Sequence, residues 1–276
     1  MRRTLLFIPG NNAGNIQNAG LFGADAIIFD LEDAVSPMQK DSALNLVCNA
    51  LNMLNYECEK IVRINLENAK NDILALSKTK INSILIPKAE NVKEIKELIK
   101  YTRNLNSEIE ILLLIETPLG LLNAKELAFL DGVSALCFGA EDYTSEIGAR
   151  RSESGVEIDY ARNYLLNVCK AAKIDAIDTP YTDTNNEAGL IADTTYIKNL
   201  GFDGKLVISP RHIDIIHNCF KPSQKEIIWA NQVLDAIKEA ESKKSGVISL
   251  NGKMIDAPIV NRAKKILKEI LWILIT

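Results

Sequence analysis

The residues able to do chemistry fall in one kind of place along this chain. Short apolar runs end in polar or charged groups: Asp30-Leu31-Glu32-Asp33, Arg63 with Asn65, Pro87-Lys88, Glu116-Thr117, Gly139-Ala140-Glu141-Asp142 and Asp178-Thr179. A single carboxylate after a strand is often a helix N-cap or a solvated surface charge. Several gathered at one mouth repel one another, so either their pKa values rise or a cation offsets them. A divalent ion is the simpler answer, and Mg²⁺ favours one or two carboxylates completed by waters and substrate oxygens. Glu116 and Asp142, which close successive runs, are the best metal pair by position.

Arg63 adds a guanidinium, whose fork binds a carboxylate through two parallel hydrogen bonds. Metal plus arginine suits a substrate with a carboxylate beside a carbonyl or hydroxyl. Gly139 allows backbone to approach a ligand closely, and successive N–H groups at Gly139, Ala140 and Glu141 can hold a carboxylate. Pro9, ending the first run, and Lys88, ending the fourth, complete the expected substrate-binding set. A lysine at a strand end can also form a Schiff base. Beside a metal pair, Lys88 is read instead as a partner for the mouth carboxylates.

The elements that must position these groups alternate regularly. Apolar runs at residues 4–8, 26–31, 61–64, 83–86, 109–115, 132–138, 176–177 and 204–208 read as parallel strands buried on both faces. Helical stretches lie between them, such as 91–103, where Val92, Ile95, Leu98 and Ile99 recur at helical spacing, and 159–173. Strands alternating with helices imply βαβ units, and eight of them imply a (β/α)8 TIM barrel whose site lies at the carboxyl ends of the strands. An open doubly wound sheet is the competitor, but the first strand leads into Pro9-Gly10-Asn11-Asn12 rather than GxGxxG. Residues 1–220 are assigned to the barrel. Residues 221–276 are read as a C-terminal helical extension of the same unit, with a helix start at Pro222-Ser223, helices over 229–241 and 258–274, and turns at Gly246 and Asn251-Gly252. The apolar end ILWILIT suits an oligomer contact.

Bulk properties exclude other classes. The 276 residues carry a net charge of −4, which offers no basic surface for nucleic acid. No apolar run approaches the roughly 20 residues needed to span a bilayer, and the opening MRRTLLFIPGNN is cut by Pro9-Gly10, so neither a membrane span nor a secretory signal is expected. Cys48, Cys58, Cys137, Cys169 and Cys219 are scattered and lack a CxxC pair, as in a reduced cytoplasmic protein. His212 and His217 lack the spacing of a zinc motif.

The ordered strings RTLLFIPGN (3–11), DAIIFDLEDAV (25–35), VRIN (62–65), ILIPKAEN (84–91), LLLIETPLGLLNA (112–124), FGAEDYTSEIGARR (138–151), AIDTPYTD (176–183), GFDGKLVISP (201–210) and LNGKMIDAP (250–258) resemble the citrate lyase β-subunit family of the HpcH/HpaI aldolase superfamily. The resemblance implies Mg²⁺ on Glu116 and Asp142, keto-acid binding by Arg63, and Glu32 and Asp33 beside the substrate. It also implies that Asp256, in the C-terminal segment, reaches a neighbouring subunit's site as the acid. The implied reaction is cleavage of a 3-hydroxyacyl thioester such as citryl-CoA, or its acyl-carrier form, to oxaloacetate and an acetyl thioester. A stand-alone malyl-CoA or citramalyl-CoA lyase, a thioesterase or synthase using the same site, and a non-catalytic scaffold subunit are the alternatives. A homo-oligomer, trimeric or hexameric, and partner lyase subunits are the implied assemblies. Two positions depart from the family pattern: Ser209-Pro210 stands where many relatives have His-Pro, and Leu44 where they commonly carry arginine. Both bear on how the thioester arm is held.

Overall fold

A computed structural model describes residues 1–242, 249–250 and 253–275. The chain divides into two compact units, Met1–Cys219 and Phe220–Thr276.

The first unit is a closed barrel of parallel strands in sequential order: β1 (Thr4–Pro9), β2 (Ala26–Asp30), β3 (Glu59–Arg63), β4 (Ser83–Ile86), β5 (Glu110–Ile115), β6 (Val133–Phe138), β7 (Asp175–Asp178) and β8 (Gly204–Val207). β8 pairs with β1 to complete the ring. All eight expected strands form, with ends moved by one or two residues. Between them lie α1 (Ala13–Asn18), α2 (Lys40–Met53), α3 (Ala69–Leu76), α4 (Val92–Leu105), α5 (Pro118–Ala128), α6 (Ala140–Glu146), α7 (Asp159–Ala172) and α8 (Glu187–Leu200), and α9 (Ile213–Phe220) follows β8. Local chemistry sets their ends. Asn91 caps α4 by accepting from the Lys93 and Glu94 amides, while Ile95 and Ile99 face inward. Thr117 caps α5 through the Gly120 amide, with Pro118 at the first helical position. Lys173, in the left-handed conformation, ends α7.

Strand residues alternate between barrel interior and helix layer. The interior is filled by Leu5, Ala26, Ile28, Ile61, Leu85, Leu112, Leu114, Ala135, Cys137, Ile177 and Leu206. Two residues further along the same phase come Phe7 and Pro9, Asp30, Arg63, Glu116, Gly139, Thr179 and Ile208. The inward layer thus changes from hydrocarbon to polar groups at the carboxyl end. A register shift between Ile111 and Leu112 takes up one extra residue, Ser134, on β6.

At the opposite end Arg2 ties the staves together. Its guanidinium donates to Glu59 of β3, Glu110 of β5, Ser134 of β6 and Asp175 of β7. Burial works against the Arg2 charge, but the Glu59 hydrogen bonds and the surrounding carboxylates outweigh it and raise its pKa.

The second unit contains α10 (Gln224–Ser242), a short antiparallel pair of β9 (Ser249–Leu250) and β10 (Lys253–Met254), and α11 (Ala257–Ile275). Ser223 and Glu226 form a reciprocal capping box: the Ser223 amide donates to Glu226 Oε2 and the Glu226 amide to Ser223 Oγ. The expected helix start at Pro222-Ser223 is therefore present, and the helix begins before residue 229. The core of this unit is Ala230, Val233, Ile255, Ala263 and Ile266, with Arg262 stacked 5.4 Å over the Trp229 ring. The turns expected at Gly246 and Asn251-Gly252, and the side chains of the ILWILIT end from residue 272 on, lie outside the described residues.

Candidate active site

The polar layer surrounds a cleft of about 500 Å³ lined by Phe7, Pro9, Asp30, Asp33, Ala34, Arg63, Leu114, Glu116, Gly139, Ala140, Glu141, Asp142, Thr179, Pro180, Leu206 and Ile208. Barrel phase explains much of this set, because every strand except β4 brings inward-phase residues to the rim, and the segments that follow β2, β6 and β7 supply the rest. The sequence-expected Pro9, Asp33, Arg63, Glu116, Gly139, Ala140, Glu141 and Asp142 are brought together here.

Arg63 sits at the last position of β3, opposite Asp30 in the parallel register. Asp30 grips its side edge, with Nε to Oδ1 at 2.8 Å and Nη2 to Oδ2 at 2.6 Å. Nη1 faces Glu32 Oε2 at 3.0 Å and Asp33 Oδ2 at 3.3 Å, and the guanidinium carbon lies 5.1 Å from the Phe7 ring centre. The Nε–Nη2 edge of the fork is therefore occupied by Asp30, and Nη1 is shared with Glu32 and Asp33 of the following loop. Burial acts against the Arg63 charge, but the Asp30 hydrogen bonds and three neighbouring carboxylates raise its pKa.

The acidic loop is fixed from both sides. Asp30 accepts the Glu32 amide at 2.9 Å and the Ala34 amide at 3.1 Å. Lys40 Nζ donates to the Leu31 carbonyl at 2.8 Å and to the Glu32 carbonyl. Glu32 is buried and does not line the cleft. Its Oε2 accepts no hydrogen bond despite the nearby Nη1, because the ion pair is off the donor axis. Burial pushes its carboxyl up, opposed by the Arg63 charge. Asp33, by contrast, keeps 59% of its side chain exposed.

Glu116 follows β5 and is only 3% exposed. Its Oε1 accepts the Lys88 backbone N–H at 2.8 Å. Its Oε2 lies over Gly139, where an added Cβ would stand 2.8 Å from that oxygen and 2.6 Å from the Glu116 Cβ. Glycine is required at 139 because the next stave's acid occupies the space a side chain would need. Burial pushes the Glu116 carboxyl up to about 8, with the Glu32 and Asp142 charges adding to the effect. Asp142 lies in the first turn of α6, on the exposed side of the cleft.

These groups fit a hard divalent cation. Glu116 and Asp142 offer oxygen donors at one cleft, and the buried Glu116 gains a counter-charge. Among the described residues no three His, Cys, Asp or Glu side chains converge to enclose a metal. A two-carboxylate set that leaves sites for water and substrate is what magnesium accepts.

Three expectations are corrected in detail. Asp178 does not point at the mouth. Its phase is outward, where it joins Arg162, Asp193 and Lys205 in a buried ionic quartet. The Gly139 and Ala140 amides are already used, donating to the Ile115 carbonyl at 3.0 Å and to Thr179 Oγ1 at 3.1 Å, so they are not free to hold a carboxylate. Glu141 lines the rim but pairs with Arg151 at 2.9 Å. Lys88 Nζ stands 3.3 Å from Glu32 Oε1, and the Glu32 charge raises its pKa, the wrong direction for an amine nucleophile. Asp256 belongs to the second unit, where Oδ1 accepts the Ile259 amide at the start of α11. The sequence reading missed Asp30 and Thr179 as working residues, although counting two positions on from Ile28 and Ile177 places both on the inward face.

The sequence signature of the HpcH/HpaI aldolase/citrate lyase family matches residues 3–210. The chain belongs to this family. Family members similar to it include the citrate lyase subunit beta of Leuconostoc mesenteroides subsp. cremoris, 43% identical over 97% of this chain and 93% of that protein. The human mitochondrial citramalyl-CoA lyase is 31% identical over 95% of this chain and 84% of its own length. Among solved structures, the family protein CitE of Mycobacterium tuberculosis, in complex with magnesium, acetoacetate and coenzyme A, superposes with a TM-score of 0.81 at 27% identity, covering 97% of both chains.

Proposed function

We propose that this chain is a magnesium-dependent carbon–carbon lyase that cleaves citryl-CoA, or the equivalent citryl acyl-carrier thioester, to oxaloacetate and an acetyl thioester. The observation that carries the reading is the meeting of Glu116, Asp142 and Arg63 at one cleft. The 43% identity to a citrate lyase subunit beta supports the citryl substrate over the citramalyl one.

Glu116 and Asp142 would hold a magnesium ion, which would supply Lewis acidity toward the oxygens of the keto-acid half. Arg63, which lines the cleft, offsets the charge of the keto-acid half, while Asp30 holds the guanidinium in place through Nε and Nη2. Asp33 is positioned to orient the substrate, and Glu32 with Lys88 steadies the acidic loop from behind. In the cleavage the hydroxyl gives up its proton to solvent water, the oxygen's electron pair forms the ketone, and the bond to the thioester methylene breaks with its electron pair passing to the thioester as the enolate. Oxaloacetate remains beside Arg63, and the departing thioester enolate takes up a proton. Asp256 is assigned as that acid, delivered by the C-terminal segment of a neighbouring subunit in a homo-oligomer. Leu114, Leu206, Ile208 and Phe7 give the reacting carbons apolar walls. The five free thiols fit a reducing cytoplasmic setting, and partner lyase subunits would supply the carrier.

The test is a substrate panel of citryl-, malyl- and citramalyl-CoA with Mg²⁺, with lyase and hydrolase products scored separately. Oxaloacetate and acetyl-CoA from citryl-CoA, abolished by chelation, is the expected result. Preferential cleavage of citramalyl-CoA moves the assignment to the second substrate, and release of free CoA without bond cleavage replaces lyase by thioesterase. No turnover of any thioester, with no metal-dependent keto-acid binding, leaves the scaffold alternative.

A further inference from the structure

Lys88 has an unusual backbone. Among the described residues only Lys88, at φ 46, and Lys173 place a non-glycine residue at positive φ. Lys173 ends a helix, where that conformation is ordinary. Lys88 ends no helix. It lies between the last residues of β4 and the loop that leads to α4, directly after Pro87. In this region a Cβ crowds the neighbouring carbonyl, a cost that glycine does not carry.

The conformation has a visible consequence. It turns the Lys88 N–H toward the barrel interior, where it donates to Glu116 Oε1 at 2.8 Å. The turn is held on both sides. The Ala89 amide donates to the Leu114 carbonyl at 3.1 Å, and the Ala89 carbonyl packs so closely on α5 that a Cβ at Gly120 would lie 2.7 Å from it. With Oε1 occupied by this amide, the Glu116 carboxylate is fixed in rotation, and Oε2 stays over Gly139 on the cleft side. The lysine side chain does something separate, pairing with Glu32 Oε1 at 3.3 Å.

We propose that Lys88 is a positioning residue for the metal pair, and that it acts through its backbone amide rather than its ammonium group. This rests on the reading of Glu116 and Asp142 as magnesium ligands. The strained turn aims one N–H at one carboxylate oxygen and leaves the other for the cation. Outer hydrogen-bond partners of metal ligands are a known determinant of affinity.

The test compares Mg²⁺ affinity, measured by calorimetry on the whole chain without substrate, in Lys88→Gly and Lys88→Val. Glycine keeps the amide and the positive φ but removes the ammonium, whereas β-branched valine disfavours the conformation. Lys88→Gly is expected within about twofold of the parent affinity and Lys88→Val at least about tenfold weaker. Metal-free melting should be no lower for Lys88→Gly than for the parent. Equal losses in both variants, or parental affinity in Lys88→Val, overturn the proposal. Since the valine variant can fail to fold, hydrogen exchange in the unaltered chain gives an independent readout. The Lys88 amide should exchange slowly without metal and lose that protection in Glu116→Ala, and fast exchange in the parent overturns the proposal. If the parent binds no Mg²⁺, the metal reading falls and this inference with it. If the parent binds and the variants fail to separate as stated, only the inference falls.

Discussion

At the rim of the barrel a single guanidinium is shared among three carboxylates, and their burial decides what each contributes. Asp30 is buried and holds two of the Arg63 nitrogens, while Asp33 is mostly exposed and touches only Nη1. Removing one member of a buried pair strands the other charge, whereas an exposed contact is screened by water. Asp30→Ala should therefore cost about 3 kcal/mol of stability in urea unfolding. Asp33→Ala should cost no more than about 1 kcal/mol. Equal costs would mean that the clamp is not what holds Arg63 in place. The sequence already grouped Arg63 with the acids of the DLED string, since residue type and position after an apolar run are local properties. It did not reveal that Asp30 takes the two-point edge, because that depends on the register of β2 against β3, which brings Asp30 opposite Arg63.

At the scale of elements, strand phase sorts polar groups into a working set and a structural set. Glu116, Gly139 and Thr179 continue the inward phase of Leu114, Cys137 and Ile177, whereas Asp178 and Lys205 have the opposite phase and face the helices. The second set forms the quartet: Arg162 of α7 holds Asp178 with two bonds of 2.8 Å, and Lys205 of β8 reaches Asp178 at 2.7 Å and Asp193 of α8 at 2.6 Å. Two positive and two negative charges balance, with Arg162, Asp178 and Lys205 fully buried and Asp193 keeping 17% of its side chain exposed. Asp178→Ala leaves Arg162 and Lys205 short of a partner and should destabilise the barrel by roughly 3–5 kcal/mol. Asp131→Ala, which breaks the exposed pair with Arg103, should change stability by less than about 0.5 kcal/mol. Chemical denaturation of both variants checks the contrast, and similar small effects would contradict the quartet's role. The eight strands were legible because continuous apolar runs between amphipathic stretches leave few other folds. The outward turn of Asp178 was less so, since a two-residue apolar run at 176–177 gave too short a pattern from which to read its phase.

For the whole molecule, the two ends of the barrel serve different purposes. The amino-terminal floor is closed by charge: Arg2 spans four strands, and Arg3 holds Asp25 through its amide at 2.8 Å and its guanidinium at 2.7 and 2.9 Å. Burial acts to raise the Asp25 carboxyl, but hydrogen bonds from His217 and Arg3 hold it down at about 2. A carboxyl whose folded pKa is depressed stabilises the fold above its unfolded value and loses that contribution as pH falls through the folded one. The Asp25 contribution, about 2 kcal/mol, should thus be intact above pH 4 and vanish toward pH 2, and Asp25→Asn should remove that part of the acid dependence. An unchanged pH–stability curve in Asp25→Asn would rule out this floor contact as a source of acid lability.

The carboxyl-terminal rim carries the central claim, that two acids from neighbouring staves grip one hard cation beside Arg63. Calorimetric titration of oxaloacetate into the chain, with and without Mg²⁺, tests it most directly. Binding that requires the metal and disappears in both Glu116→Gln and Asp142→Asn is the predicted result. Oxaloacetate binding of equal strength without Mg²⁺, or full metal-dependent binding retained in either variant, would contradict the account.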